Sequence, residues 1–167
     1  MNDNGFRSPV SNSKLVTALV AGVVATHVAT ITGYWYGIIG FPNLDWPRFN
    51  GMLLFPEGPD LVQFVSGLVF HSFTSMSLTL IFVFLIHPRL PWKNTMRGNL
   101  IKALVFAEFL GLFSALIFVP RLFPQFNPGF LSLGLSPSPQ VTIGIFLWHA
   151  IWGVHLGALY NPTSDST

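Results

Sequence analysis

Charge is the scarcest property of this 167-residue chain: Asp, Glu, Lys and Arg together make up 8% of it, against about 25% in ordinary soluble domains. That is too little to wet the surface of a soluble globule. Cysteine is absent, which excludes thiol catalysis, disulfides, iron–sulfur clusters and cysteine-type zinc sites. No serine nucleophile elbow, phosphate-binding Walker loop or pair of neighbouring buried carboxylates is present, so no enzyme chemistry of the soluble kind is expected. The eight Lys/Arg residues give a net charge of only +2. No face collects five or six of them, so a nucleic-acid partner is not expected either.

What fills the chain is apolar: 51% hydrophobic residues, with seventeen Phe and five Trp. Disordered chains are charged and poor in aromatics, so this composition points to an integral membrane protein. A polar tail at 1–14 precedes four uncharged or nearly uncharged stretches, at about 15–39, 61–86, 100–119 and 141–160, and a short tail follows at 161–167. About 20 apolar residues cross a bilayer. The expected fold is therefore all-α, a transmembrane four-helix bundle forming a single membrane domain. The first stretch ends in Tyr34, Trp35 and Tyr36 rather than in a small-residue cleavage site, which reads as an interfacial belt and not a signal peptide.

Lys/Arg counting sets the expected orientation. Arg7, Lys14, Arg89, Lys93, Arg97 and Lys102 fall on one side, and Arg48 and Arg121 on the other. Both termini are expected in the cytoplasm. The first outer loop contains Asp45-Trp46-Pro47, which reads as the cap and first turn of a short helix reaching about Phe55, with aromatic residues suited to the membrane surface. The second, 122–140, has no charge and carries Phe123, Phe126, Phe130 and Leu131. An uncharged apolar loop calls for a cover, and we expect these four residues to face a partner subunit.

Small residues recur at helical spacing in every span: Gly22, Thr26, Ala29 and Gly33; Gly67, Ser75 and Thr79; Ala107, Gly111 and Ala115; Gly153 and Gly157. Such stripes let backbones approach in lipid. A weak repeat is visible as well. Leu15–Val20 matches Leu100–Val105, and Phe70-His71 matches Trp148-His149. A duplicated helical hairpin explains it, and so does coincidence among apolar helices.

The informative residues are ionisable groups deep in the spans: His27, His71, Glu108 and His149, one from each. Charges at the bilayer centre are costly and turn toward the bundle interior, where they pair. A midplane polar cluster is expected, and three uses for it stay open. It could be a hydrogen-bonded core in which Glu108 holds one or two histidines. It could ligate a cofactor, haem b or a chlorophyll-type pigment with His71 and His149 as the ligands and His27 as the alternative, or a non-haem metal on the three histidines plus Glu108. It could be a transport or proton path centred on Glu108.

Two pieces of sequence carry a resemblance. Gly40-Phe41-Pro42-Asn43-Leu44-Asp45 is followed by Gly51, and His149, Gly153, Gly157 and Tyr160 close the last span; Gly67 and His71 fit as well. In these the chain resembles a family of small four-span bacterial inner-membrane proteins of unknown function. The resemblance implies a multi-pass protein of that membrane and the same midplane histidines, but no activity. The aromatic content and the uncharged second loop depart from the family. They lead to the expectation of an accessory, structural subunit of a larger bioenergetic complex, of photosynthetic reaction-centre or respiratory type, in contact with lipid and with other membrane subunits.

Overall fold

The computed structural model describes residues 14–124 and 139–160. Among these all regular structure is helical, without a strand. Four of its helical rods are long and apolar enough to cross a membrane.

Helix α1 spans Lys14–Tyr34 and buries a face of small residues, Ala18, Ala21, Gly22, Ala25, Thr26, Ala29, Thr30 and Gly33. It ends five residues before the apolar run does. One tight turn over Tyr36–Ile39 follows, and the chain reverses at Gly40, whose φ of +81° lies in the left-handed region that glycine enters without strain. The Leu44 amide then donates back to the Gly33 carbonyl at 3.0 Å. Residues 35–45 therefore fold back along the end of α1 instead of prolonging it.

Helix α2, Trp46–Leu54, starts as the sequence indicates. Asp45 accepts from the Arg48 amide at 3.0 Å, and Pro47 occupies the first turn. Its place differs from the surface position its aromatics suggest. α2 lies against α3 in backbone contact. A Cβ on Gly51 would stand 1.7 Å from the Gln63 carbonyl oxygen, and one on Gly67 would stand 1.7 Å from that of Pro47. Only two glycines permit so close an approach. The exit of α2 is tied down by Gln63, whose side-chain amide donates to the Phe55 and Pro56 carbonyls at 3.0 and 3.2 Å.

Helix α3 runs Asp60–Ile81 and continues through a π-helical turn at Phe82–Ile86 and a tight turn at His87–Arg89, making one rod of 30 residues. Helix α4, Met96–Phe113, is capped by Thr95, whose hydroxyl accepts from the Gly98 amide at 3.2 Å. A second π-helical turn, Ser114–Phe118, joins it to α5, Val119–Leu122, for a rod of 27 residues. Helix α6 spans Pro139–Leu159. The cap at Thr95 explains why the third rod begins four residues ahead of the expected 100.

α6 is the most enclosed helix, with α1 on one flank and α4 on the other, while α3 packs on α1 and α2. The crossings run through the small-residue stripes. A Cβ on Gly153 would meet the Ala107 Cβ at 2.7 Å, one on Gly157 the Asn99 carbonyl oxygen at 2.8 Å, and one on Gly22 the Thr79 hydroxyl at 2.6 Å. α3 and α4 meet chiefly through residues 82–89, where Phe82 stacks on Phe106 with ring centres 5.2 Å apart. Toward the α2 end the two long rods part. Large apolar side chains such as Val69, Phe73 and Phe109 cover the exterior.

Candidate functional site

The parting of α3 and α4 leaves a cleft of about 300 Å³. α3 supplies Phe70, His71 and Ser75 to one wall, and α4 with its π-helical turn supplies Leu110, Phe113 and Phe118 to the other. Trp148 and His149 of α6 and Trp46 and Asn50 of α2 complete the lining. The volume lies at the small end of the range for ligand clefts, which are mostly apolar with a few polar groups. No lysine, arginine or carboxylate is among the lining residues.

Two of the four expected midplane residues meet here. His71 is buried, with both ring nitrogens engaged. Its Nε2 lies 3.1 Å from the Thr30 hydroxyl, and its Nδ1 lies 3.3 Å from the Asn50 side-chain amide nitrogen. An amide NH₂ only donates, so Nδ1 accepts from Asn50 and Nε2–H donates to Thr30. α1, α2 and α3 are thereby joined at one side chain.

His149 is engaged on one side only. Its Nδ1 lies 2.8 Å from the Ile145 carbonyl oxygen one turn back. A carbonyl only accepts, so the proton of the neutral ring sits on Nδ1 and leaves a lone pair on Nε2. Nε2 has no hydrogen-bond partner among the described residues. Trp148 separates the two histidines, with its ring centre 5.5 Å from that of His71.

The other two expected members stand apart from the cleft. His27 is exposed, and its Nδ1 turns to the Val23 carbonyl of its own helix at 2.8 Å. Glu108 is half-buried, lies outside the cleft lining, and is hydrogen-bonded to no histidine among the described residues. Of the loop residues expected to face a partner, Phe123 points into this protein's own packing. It is 2% exposed, with its ring 5.7 Å from Phe49 and 6.4 Å from Phe118. Phe126, Phe130 and Leu131 lie outside the described residues.

Sequence reasoning missed three things. Asn50 sits in a segment read as a surface helix, and nothing in its neighbours announces a histidine partner. Trp46 and Trp148 both bury their indole N–H groups in the cleft region without a hydrogen-bond partner. A second polar cluster also lies where α3 ends and α4 begins. There His87 Nε2 donates to the Asn99 side-chain oxygen at 3.0 Å, and the buried Lys102 donates to that of Asn94 at 2.9 Å. His87 lies one residue beyond the expected end of the second stretch at 86, in the tight turn His87–Arg89.

The residues present do not suit a haem held by two histidines. His71 has no free nitrogen, and His27 is on the exterior. Among the described residues no group of three His, Asp or Glu is placed to hold a metal ion. No protein-family model, curated protein or solved structure matches this chain.

Proposed function

We propose that the protein is a multi-pass component of the bacterial inner membrane, with both termini cytoplasmic, and that it is a non-catalytic accessory subunit of a larger bioenergetic complex to which it contributes a ligand cleft. The cleft between α3 and α4, floored by a histidine with a free nitrogen, is the observation that carries the reading. It combines apolar walls, a small number of polar groups and a lateral position between the two least enclosed rods. The Lys/Arg balance supports the orientation. The long uncovered faces of α3 and α4 suit contact with lipid and with other membrane subunits. The duplicated hairpin belongs to the same reading, since His71 and His149, matched in the repeat, line one cleft.

The test is to extract the protein from its own membranes in mild detergent, fractionate it by size with an inline absorption spectrum, and extract the peak with organic solvent for mass spectrometry. Co-elution with a large assembly and an apolar small molecule in stoichiometric amount is the expected outcome. A lone 18.5 kDa chain with no extracted ligand beyond bulk lipid would overturn it.

A further inference from the structure

The polar atoms of the cleft narrow what it can hold. The floor offers one acceptor, the Nε2 lone pair of His149, fixed in that role because Nδ1–H is given to the Ile145 carbonyl. Trp46 and Trp148 line the wall on rings 6.4 Å apart, each more than nine-tenths buried, and their indole N–H groups are buried without partners. Buried polar groups in native proteins are normally paired, so two buried indole N–H groups without partners, on residues lining the same cavity as the unpaired His149 Nε2, are a signature. The hydroxyls of Thr74, Ser75 and Ser114, each able to donate or accept, also face the cleft, while Asn50 and His71 are bonded to each other; the rest of the lining is apolar and largely aromatic.

Each candidate class meets this set differently. A lipid acyl chain satisfies the apolar walls and leaves the His149 nitrogen and the lining hydroxyls unpaired. A phosphate-bearing head group requires a cation, and no lysine or arginine lines the cleft. A haem held by two histidines lacks its second ligand, since both ring nitrogens of His71 are bonded. A single flat ring bearing both hydroxyl hydrogens and acceptor oxygens satisfies every part, provided its apolar substituent leaves through the gap between α3 and α4. We infer that the cleft takes the head ring of a membrane quinol, its ring hydroxyl donating to His149 Nε2. This rests on the ligand-cleft reading above and adds the ligand's chemistry to it.

A consequence follows from the fixed tautomer. The oxidised quinone has carbonyls and no hydroxyl hydrogen. It would bring a second lone pair against Nε2, so the cleft favours the reduced form. One hydrogen bond of this kind corresponds to about a tenfold difference in affinity. His71, already bonded to Thr30 and Asn50, makes no such discrimination.

The experiment is an anaerobic titration of the purified full chain with a short-tailed quinol and with its quinone, read by quenching of tryptophan fluorescence, with a phospholipid of matched tail length as the third probe. The quinol is expected to bind about tenfold more tightly than the quinone. His149→Leu is expected to abolish that preference while His27→Leu keeps it. Trp148→Phe, which keeps a ring but loses the N–H, is expected to weaken both forms. The redox comparison in the wild-type chain needs no variant, so a folding failure of His149→Leu leaves the test intact. Equal binding of quinol and quinone, or of all three probes, would overturn the quinol assignment while leaving an apolar cleft. Binding of none of them, with no ligand extracted from native material, would overturn the cleft reading as well.

Discussion

Gly67→Ala is the most demanding test of how α2 is held. A methyl at this position would stand 1.7 Å from the Pro47 carbonyl oxygen and 2.4 Å from the Gly51 amide nitrogen. Both are backbone atoms, so no rotamer change can clear them. An ordinary contact needs about 3.5 Å, so α2 would have to retreat from α3 by roughly 1.8 Å. The Asn50–His71 bond is 3.3 Å long and would not survive that movement. Overpacking costs about 1–3 kcal/mol, and the hydrogen bond lost with it adds about 1 kcal/mol. The expected destabilisation is therefore about 2–4 kcal/mol. Gly144→Ala serves as the control in the same protein. Its new methyl would meet Leu44 Cδ1 at 3.4 Å and Tyr36 at 3.6 Å, and helix propensity favours alanine by about 0.8–1 kcal/mol. It should be neutral or stabilising. Reversible unfolding in mixed micelles, followed by tryptophan fluorescence, measures both. If Gly67→Ala unfolds within about 0.5 kcal/mol of wild type, the backbone contact between α2 and α3 is wrong, and so is the route by which Asn50 reaches His71.

Other outcomes follow from the same geometry. Asn50→Leu leaves His71 Nδ1 buried and unpaired, and should cost about 1–3 kcal/mol in the same unfolding assay; an unchanged midpoint would deny the bond. Tyr36→Phe removes a buried hydroxyl that has no hydrogen-bond partner and should raise stability by about 1 kcal/mol. Burial pushes the Tyr36 phenol up to about 12. Folding therefore favours the neutral phenol, a contribution present in full below the ordinary tyrosine range near pH 10 and lost as pH climbs toward 12. An alkaline stability profile should show that loss in the wild type and a smaller one in Tyr36→Phe, and superimposable profiles would refute it. Asp60→Asn breaks the 2.8 Å Arg48–Asp60 pair, whose partners are both exposed, and should change stability by less than about 1 kcal/mol.

The rods were legible in the sequence because crossing a bilayer imposes a length and an apolarity that a chain cannot disguise. The stripes were legible for a similar reason. Gly153, Gly157 and Gly22 are small because a neighbouring helix passes there, and the spacing alone tells which face that is. The cap of α2 was legible too, since Asp45 and Pro47 act within one turn. What could not be read was position in space. A helix with Trp46 and Phe49 looks the same whether it rests on a lipid surface or against another helix. The difference lies in Gly51 and Gly67, which are distant in sequence and meaningful only as a pair. The midplane histidines suffered likewise. Similar depth says nothing of direction, and His27 faces outward while His149, equally deep, faces the cleft. The two π-helical turns left no trace in composition, although each adds a residue to its turn and so re-aims every side chain beyond it.

The unequal lengths of the rods have a mechanical meaning. At 1.5 Å per residue, α1 and α6, with 21 residues each, match a hydrocarbon core of about 30 Å. The rods through α3 and α4, with 30 and 27 residues, come to about 45 and 40 Å, too long to stand upright. An overlong helix tilts, and it tilts further as the bilayer thins. These two rods are pinned to each other near Phe82 and Phe106 and free of each other at the opposite end, so added tilt spreads them like the arms of a caliper. In a bilayer that tilts them in this way, the mouth of the cleft would widen as the membrane thins. Occupancy should change steadily across vesicles of increasing acyl-chain length, and an occupancy indifferent to thickness would show that the arms are locked.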